Sequence, residues 1–136
     1  IVHVCTDVFT RYSALGDPQI LRWLGEIVDL LQPEPLLSTD APSWVDVSLR
    51  LQGERLLVHF VNHSPGRDVC RLHTDDLWAD EIPAIGPITC RLRLPHRPAG
   101  VTWEPGGGRL QATWGEGVLT IEIPKLHIHG CVVVAG

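Results

Sequence analysis

The sequence contains no methionine and no closely spaced pair of cysteines. Its four cysteines, Cys5, Cys70, Cys90 and Cys131, lie far apart, which excludes the CxxC spacing of zinc ribbons and thiol redox motifs. Cys90 and Cys131 fall within apolar strand patterns, where a buried free thiol behaves as a small hydrophobic side chain. A disulfide is the less favoured alternative, because nothing else signals secretion. From the missing methionine we expect a processed piece or a fragment of a longer protein.

Long hydrophobic runs and clusters of basic residues are also missing. The apolar runs span only a few residues, whereas a helix needs about 20 to cross a bilayer, and no signal-peptide pattern opens the chain. Of the net charge of −5, residues 1–44 carry −4 and residues 45–136 carry −1. Neither part has the basic patch of a nucleic-acid surface. We therefore expect a soluble, cytoplasmic protein that binds neither membranes nor nucleic acids.

The first 32 residues have the pattern of one strand followed by one amphipathic helix. Ile1–Cys5 is apolar and predicts a strand, and Thr6–Phe9 leads into a polar turn. A helix then begins with Asp17 as its N-cap and Pro18 in its first turn. Its apolar stripe consists of Ile20, Leu24, Ile27 and Leu31. Such a unit packs on a parallel sheet that this chain does not supply, so residues 1–32 are predicted to be a remnant of an α/β, flavodoxin-like domain.

Residues 33–44 are rich in proline and predict an extended linker. Beyond them the hydrophobic period changes to two. Residues 45–51 and 55–62 predict a hairpin that turns at Gly53-Glu54. Further short strands are predicted at 88–94, 101–103 and 110–114, with a closing pair at 117–136 that is interrupted by Pro124. The predicted fold class is therefore mainly β, an antiparallel β-sandwich over residues 45–136 preceded by the strand-helix piece.

Three stretches of the sequence resemble the C-terminal end of multidomain glycoside-hydrolase-like proteins. They are LLVHFVNHS at 56–64, EIPAIGPITCRLRLP at 81–95 and GVLTIEIPKLHIHGCVVV at 117–134. The opening IVHVCTDVFTRY and the helix DPQILRWLGEIVDLL resemble the end of the β-galactosidase trimerisation-type domain. Ile128-His129 matches a pair that is common in the last strand of the family. The resemblance implies a carbohydrate-active parent protein whose catalytic carboxylates belong to a (β/α)8 barrel outside this chain.

Tryptophan is abundant in the predicted β-region. Aromatic rings stack on sugars, but large aromatics also fill the cores of small sandwiches, and the second role is the more common one. Of Trp44, Trp78, Trp103 and Trp114, we expect Trp78 and Trp103 to be the exposed ones. These two are the candidate substrate-binding residues, through stacking on a sugar ring.

Other chemical motifs are weaker. His127 and His129 would share one face of a strand and could hold zinc with His59 or His63, but we favour a packed His129 that donates to a backbone carbonyl and an exposed His127. The acidic cluster of Asp75, Asp76, Asp80 and Glu81 lacks the glycine turn of a calcium loop. Ser64, His63 and Asp68 lack a nucleophile elbow. No catalytic residue, metal or cofactor is therefore assigned.

The sequence favours a non-catalytic accessory domain of a glycoside-hydrolase-like protein. Its predicted partner is its own catalytic domain or a neighbouring subunit, which includes a homo-oligomer of the chain. The alternative is a carbohydrate-binding module that uses the exposed tryptophans.

Overall fold

The computed structural model describes residues 1, 4, 7–63 and 82–136. These residues form two compact units, Ile1–Pro35 and Leu36–Gly136. We refer to them as the helical unit and the two-sheet unit. The predicted strand Ile1–Cys5 lies mostly outside the described residues.

The helical unit contains α1 (Val8–Leu15) and α2 (Pro18–Leu31). The sequence interpretation of a polar turn after Phe9 is wrong, because this segment is helical. α1 ends at Gly16, whose left-handed φ of 63° lets its N–H donate to the Tyr12 carbonyl at 2.8 Å. A C-cap of this kind stops a short helix without leaving a periodic signal in the sequence.

The start of α2 confirms its sequence prediction. The Asp17 side chain accepts a hydrogen bond of 2.8 Å from the Gln19 N–H, and Pro18 is the first helical residue. The helix ends at Leu31, before Pro33. None of its fourteen residues is buried. Among the described residues, neither helix is long and apolar enough to cross a membrane.

Over its described residues, 36–63 and 82–136, the two-sheet unit contains nine strands, most of them short. They are β1 (Leu37–Thr39), β2 (Val45–Gln52), β3 (Arg55–Asn62), β4 (Ile88–Arg93), β5 (Gly100–Glu104), β6 (Gly108–Arg109), β7 (Gln111–Gly115), β8 (Val118–Ile123) and β9 (His129–Ala135). All pair antiparallel, in a four-stranded sheet of order β1-β4-β8-β7 and a five-stranded sheet of order β2-β3-β9-β5-β6. The mainly β character and the β2–β3 hairpin are therefore confirmed.

Two features of the topology differ from the sequence interpretation. The segment predicted as a linker contains β1, which pairs with Cys90–Leu92 of β4 at a sheet edge. The closing strands β8 and β9 lie in different sheets, so the chain crosses between the sheets at residues 124–128. β9 is central in its sheet, between β3 and β5.

One hydrophobic core lies under the inner faces of both sheets. Val58 and Phe60 of β3 and Val132 and Val134 of β9 share it with residues of the other sheet. Those residues are Ile88, Cys90 and Leu92 of β4 and Leu119, Ile121 and Ile123 of β8. Cys90 is fully buried and Cys131 is 6% exposed, both as free thiols, as the apolar pattern around them predicts. Burial raises the pKa of Cys90 to about 12.

The absence of a side chain at Gly130 makes room for the indole of Trp103. Gly130 of β9 pairs with Phe60 of β3, and the indole of Trp103 on β5 lies directly over the Gly130 Cα. The Phe60 and Trp103 ring centroids are 6.3 Å apart. A methyl group at position 130 would overlap the indole. A glycine is therefore required here by space and not by backbone conformation.

Asn62 is the buried polar side chain of the described core, at 2% exposure. Its Nδ2 donates to the carbonyls of Pro83 at 2.9 Å and His127 at 2.8 Å, and its backbone N–H donates to the Ile128 carbonyl at 2.8 Å. The end of β3 is thereby tied to both the segment before β4 and the crossing between the sheets. The Asn62-His63-Ser64 sequon uses its amide nitrogen for these bonds.

We expect Gly130→Ala to destabilise the two-sheet unit by about 1–3 kcal/mol or more, because the added methyl displaces a rigid indole in a packed core. Thermal and urea unfolding, followed by near-UV circular dichroism, measures the change. Gly115→Ala is the matched control, since that strand glycine has open space above it.

A double variant can separate the steric overlap that Gly130→Ala creates from any effect of the substitution on strand propensity. Trp103→Leu makes room, so Gly130→Ala should cost less in that background than in the wild type. An equal cost in both backgrounds would show that the indole is not the obstacle.

Asp40, the residue after the edge strand β1, holds this strand against β4. Asp40 Oδ1 accepts from the Thr89 N–H at 2.7 Å, and the Asp40 N–H donates back to the Thr89 carbonyl. The first of these bonds is the main cause of a pKa of Asp40 below its usual 3.8. A lowered folded pKa contributes stability that is complete above the unfolded pKa and is lost as the pH falls through the folded one.

We expect Asp40→Asn to lower the free energy of unfolding by about 1 kcal/mol or less at pH 7, because the carboxylate is exposed to solvent. The difference from wild type should shrink as the pH falls below 3.8. Urea titrations at a series of pH values measure it, with Glu122→Gln on the outer face of β8 as control. A destabilisation by Asp40→Asn that grows toward low pH would contradict a stabilising role of the Asp40 carboxylate.

Candidate functional site

The five-stranded sheet carries a row of chemically active side chains on its outer face. Ser48 of β2 pairs with His59 of β3, His59 pairs with Cys131 of β9, and Cys131 pairs with Glu104 of β5. Directly paired residues in a sheet point to the same face. We call these four residues the outer row. His129, two residues before Cys131, projects from the same face.

The two histidines of this face contact each other. His59 Nδ1 and His129 Nε2 are 3.3 Å apart, and the ring centroids are 5.5 Å apart with an interplanar angle of 17°. The distance fits a hydrogen bond in which one ring donates N–H and the other accepts. The interpretation of His129 as a packed residue that donates to a backbone carbonyl is wrong, because the side chain is exposed and its contact is His59. His127 is exposed, as expected.

The Cys131 thiol lies beside His59, in an arrangement that superficially resembles a nucleophile and its base. Sγ is 3.9 Å from His59 Nε2 and donates to the Val132 carbonyl at 3.6 Å. Burial, followed by the negative charge of Glu104, raises the pKa of this thiol above its usual 9.0. A nucleophilic cysteine needs the opposite, a stabilised thiolate with a lowered pKa. The raised pKa disfavours a nucleophilic role for the Cys131 thiol, which we expect to be poorly reactive.

A second histidine contact lies near the end of β3. His63 Nε2 is 3.0 Å from Asp46 Oδ2, and both side chains are exposed. Exposed pairs of this kind stabilise a fold by only about 0–1 kcal/mol. Within residues 7–63 and 82–136, no group of three or more histidine, cysteine or acidic side chains is arranged around a metal position.

The tryptophans of the two-sheet unit face mainly inward where they are described. Trp103 and Trp114 are half-buried and pack against the core, and Trp44 is 38% exposed. Trp103 lies on the inner face of β5, against Phe60 and Gly130. Trp78 is outside the described residues. The expectation that Trp103 is exposed is wrong, because its indole packs against the core. Sugar stacking by these tryptophans stays a prediction.

Several other predicted features fall in the same undescribed range. The acidic cluster of Asp75, Asp76, Asp80 and Glu81 and the residues Ser64 and Asp68 lie within residues 64–81. Sequence reasoning named His59 and His129 but missed Cys131 and Glu104 as their neighbours. Period-two alternation predicts which residues face outward, but only the pairing of β9 with both β3 and β5 brings these four together.

Comparison with known proteins shows where this fold occurs elsewhere. No protein-family model and no curated protein sequence matches the chain. A solved structure of α-L-fucosidase isoenzyme 2 from Paenibacillus thiaminolyticus is similar over 94% of this chain, with a TM-score of 0.80 and 20% identity. A cycloisomaltooligosaccharide glucanotransferase from Paenibacillus sp., complexed with cycloisomaltoheptaose, is similar over 72% of this chain, with a TM-score of 0.51 and 17% identity.

These similarities establish a shared fold. The matched region is 19% of the fucosidase chain and 16% of the glucanotransferase chain, so this chain spans about a fifth or less of either. The fold recurs as a minor part of much longer proteins.

We expect the Cys131 thiol to react with iodoacetamide at pH 8 more slowly than a free thiol, because burial and Glu104 disfavour the thiolate form that reacts. The experiment uses a variant with Cys5 and Cys70 replaced by serine, and peptide mass spectrometry locates the label. Glu104→Gln should speed the reaction a few-fold by removing the charge that opposes the thiolate.

Cys90 provides the internal reference in the same sample, since its buried thiol should stay unlabelled until denaturant is added. A Cys131 that reacts at the rate of a free thiol in the folded protein would disprove the expected low reactivity.

Proposed function

We propose that the chain is a non-catalytic accessory part of a glycoside-hydrolase-like protein, in which it packs against the catalytic part or a neighbouring subunit. In this proposal the two-sheet unit is the C-terminal β-sandwich and the helical unit is a remnant of the preceding flavodoxin-like, trimerisation-type domain. The observation that carries the proposal is the uncovered apolar surface of α2.

The surface of α2 is divided unevenly between polar and apolar residues. Gln19, Arg22, Glu26 and Asp29 are spaced three or four residues apart and form one narrow polar face. The rest of the helix is apolar, and its large side chains stay accessible: Leu21 is 49% exposed, Val28 59% and Leu30 75%. Helices gain most of their stability by burying such a surface. α2 is therefore suited to packing against a further protein surface.

The similar structures support the class of parent protein. By their names, the two proteins are a fucosidase and a glucanotransferase, which both act on sugars. The region that resembles this chain makes up less than a fifth of each. A fold that recurs as a small part of large carbohydrate-active proteins suits an accessory role.

The chemistry of the outer row also favours a role other than catalysis. Burial, followed by the negative charge of Glu104, raises the pKa of the Cys131 thiol, which disfavours a nucleophilic role. Glu104 Oε2 accepts from the Gly107 N–H at 3.1 Å, in the turn between β5 and β6. One oxygen of this carboxylate thus supports a turn.

We expect Ile27→Glu on the apolar side of α2 to weaken association. At concentrations of tens of micromolar the wild-type chain should sediment above its monomer mass, because α2 covers its apolar surface with another chain, and the variant should sediment as a monomer. Analytical ultracentrifugation measures this, with Glu26→Gln on the polar face as the matched control.

The same preparation tests the absence of catalysis. The chain should hydrolyse no aryl-glycoside above a heat-inactivated sample. Measurable turnover would contradict the proposal. A wild-type chain that is monomeric at every concentration, together with an unchanged Ile27→Glu variant, would contradict packing of α2 against a neighbouring copy of the chain.

A further inference from the structure

The outer face of the five-stranded sheet contains a depression of about 530 Å³ beside the outer row. Leu57 of β3, Val133 and Ala135 of β9 and Gly100 of β5 form its floor, and Arg55 and Glu104 stand at its rim. Its volume lies within the range of roughly 300–1,000 Å³ that is usual for small-molecule sites.

The depression results from the size of the side chains that the strand register brings together. Gly100 pairs with Ala135, so two of the smallest residues lie side by side. In the next outward-facing row, Leu57 pairs with Val133, and Val133 pairs with Thr102. The space above Gly100 is open, since an added Cβ would meet no atom within 4 Å. A low floor is thus flanked by longer side chains.

The chemistry of the lining is mixed and its formal charges balance. The floor is aliphatic, while the rim offers the Arg55 guanidinium, the Glu104 carboxylate, the Gln52 amide and the Thr102 hydroxyl. Together these groups supply planar donor and acceptor sets, which match pairs of neighbouring hydroxyl groups. A free anion would meet Glu104, and a free cation would meet Arg55. The lining suits a neutral molecule with many hydroxyl groups and one apolar face.

A sugar ring has this combination of properties, because its C–H groups form an apolar face and its hydroxyls project around the edge. We propose that the depression binds a neutral sugar unit, with Leu57, Val133 and Ala135 under the ring and Arg55, Gln52 and Glu104 bonded to its hydroxyls. This site is separate from the predicted tryptophan platform, since Trp103 lies on the inner face of the same sheet.

The test is a calorimetric or NMR titration of the whole chain with a series of neutral mono- and oligosaccharides. We expect saturable binding with a Kd of about 0.1–10 mM, because the site is shallow and open to water. Gly100→Leu fills the depression without touching the core and should weaken binding at least tenfold. Gly115→Leu, at a strand glycine of the other sheet with equally open surroundings, is the matched control.

The rim residues provide a second, independent variant set. Arg55→Gln and Glu104→Gln should each weaken binding about 5–10-fold, since each removes a charged hydrogen-bonding group. Saturable binding to no member of the sugar series, or binding that Gly100→Leu leaves unchanged, would overturn the proposal. A preference for anionic sugars that disappears in high salt would overturn the neutral-sugar assignment.

The outcome is distinguishable from that of the proposed accessory function. The sugar variants all lie in the two-sheet unit, whereas Ile27→Glu lies in α2 of the helical unit. Loss of sugar binding in Gly100→Leu with association unchanged would separate the two activities. Failure of either experiment leaves the other proposal standing.

Discussion

The two-sheet unit depends on the burial of one amide. Asn62 ends β3 inside the core, where its Nδ2 satisfies two carbonyls from segments that are remote in sequence. Buried carbonyls that lose their donors cost about 1–3 kcal/mol each, so the segment before β4 and the crossing to β9 cannot move independently. The crossing delivers β9 to the centre of the second sheet. This side chain, together with the paired backbone hydrogen bonds of Ile85 and Leu126, holds the connection through which both sheets share a core.

The elements set by local physics could be predicted from the sequence. Alternation of apolar and polar residues located β2, β4 and β8 to within about a residue, and an apolar, β-branched run located β3. Asp17-Pro18 located the start of α2. The two elements that the sequence did not predict, α1 and β1, lack such signals. α1 is held by the Gly16 cap, and β1 has three residues in a proline-rich stretch. Neither presents a period long enough to be distinguished from a loop.

The candidate site was less predictable because it depends on which strands pair and in which register. His59 lies on the outer face of β3, but Cys131 becomes its neighbour only through the pairing of β3 with β9. The same is true of the depression, in which Gly100 and Ala135 adjoin because β5 pairs with β9. Trp103 shows the converse. The abundance of tryptophan suggested an exposed platform, yet the absence of a side chain at Gly130 gives the Trp103 indole room on the inner face. Short-range patterns do not encode which strands become neighbours.

The central position of β9 has a consequence for biosynthesis. Every other strand of its sheet precedes β9 in sequence, so during translation the β2–β3 hairpin and β5 emerge before the strand that joins them. Until β9 arrives, β3 and β5 each present an open edge of unpaired backbone groups. The sheet must therefore close after synthesis of residues 129–135, through contacts of long sequence separation that form slowly. A ribosome that stalls just before these residues would leave a nascent chain prone to aggregation.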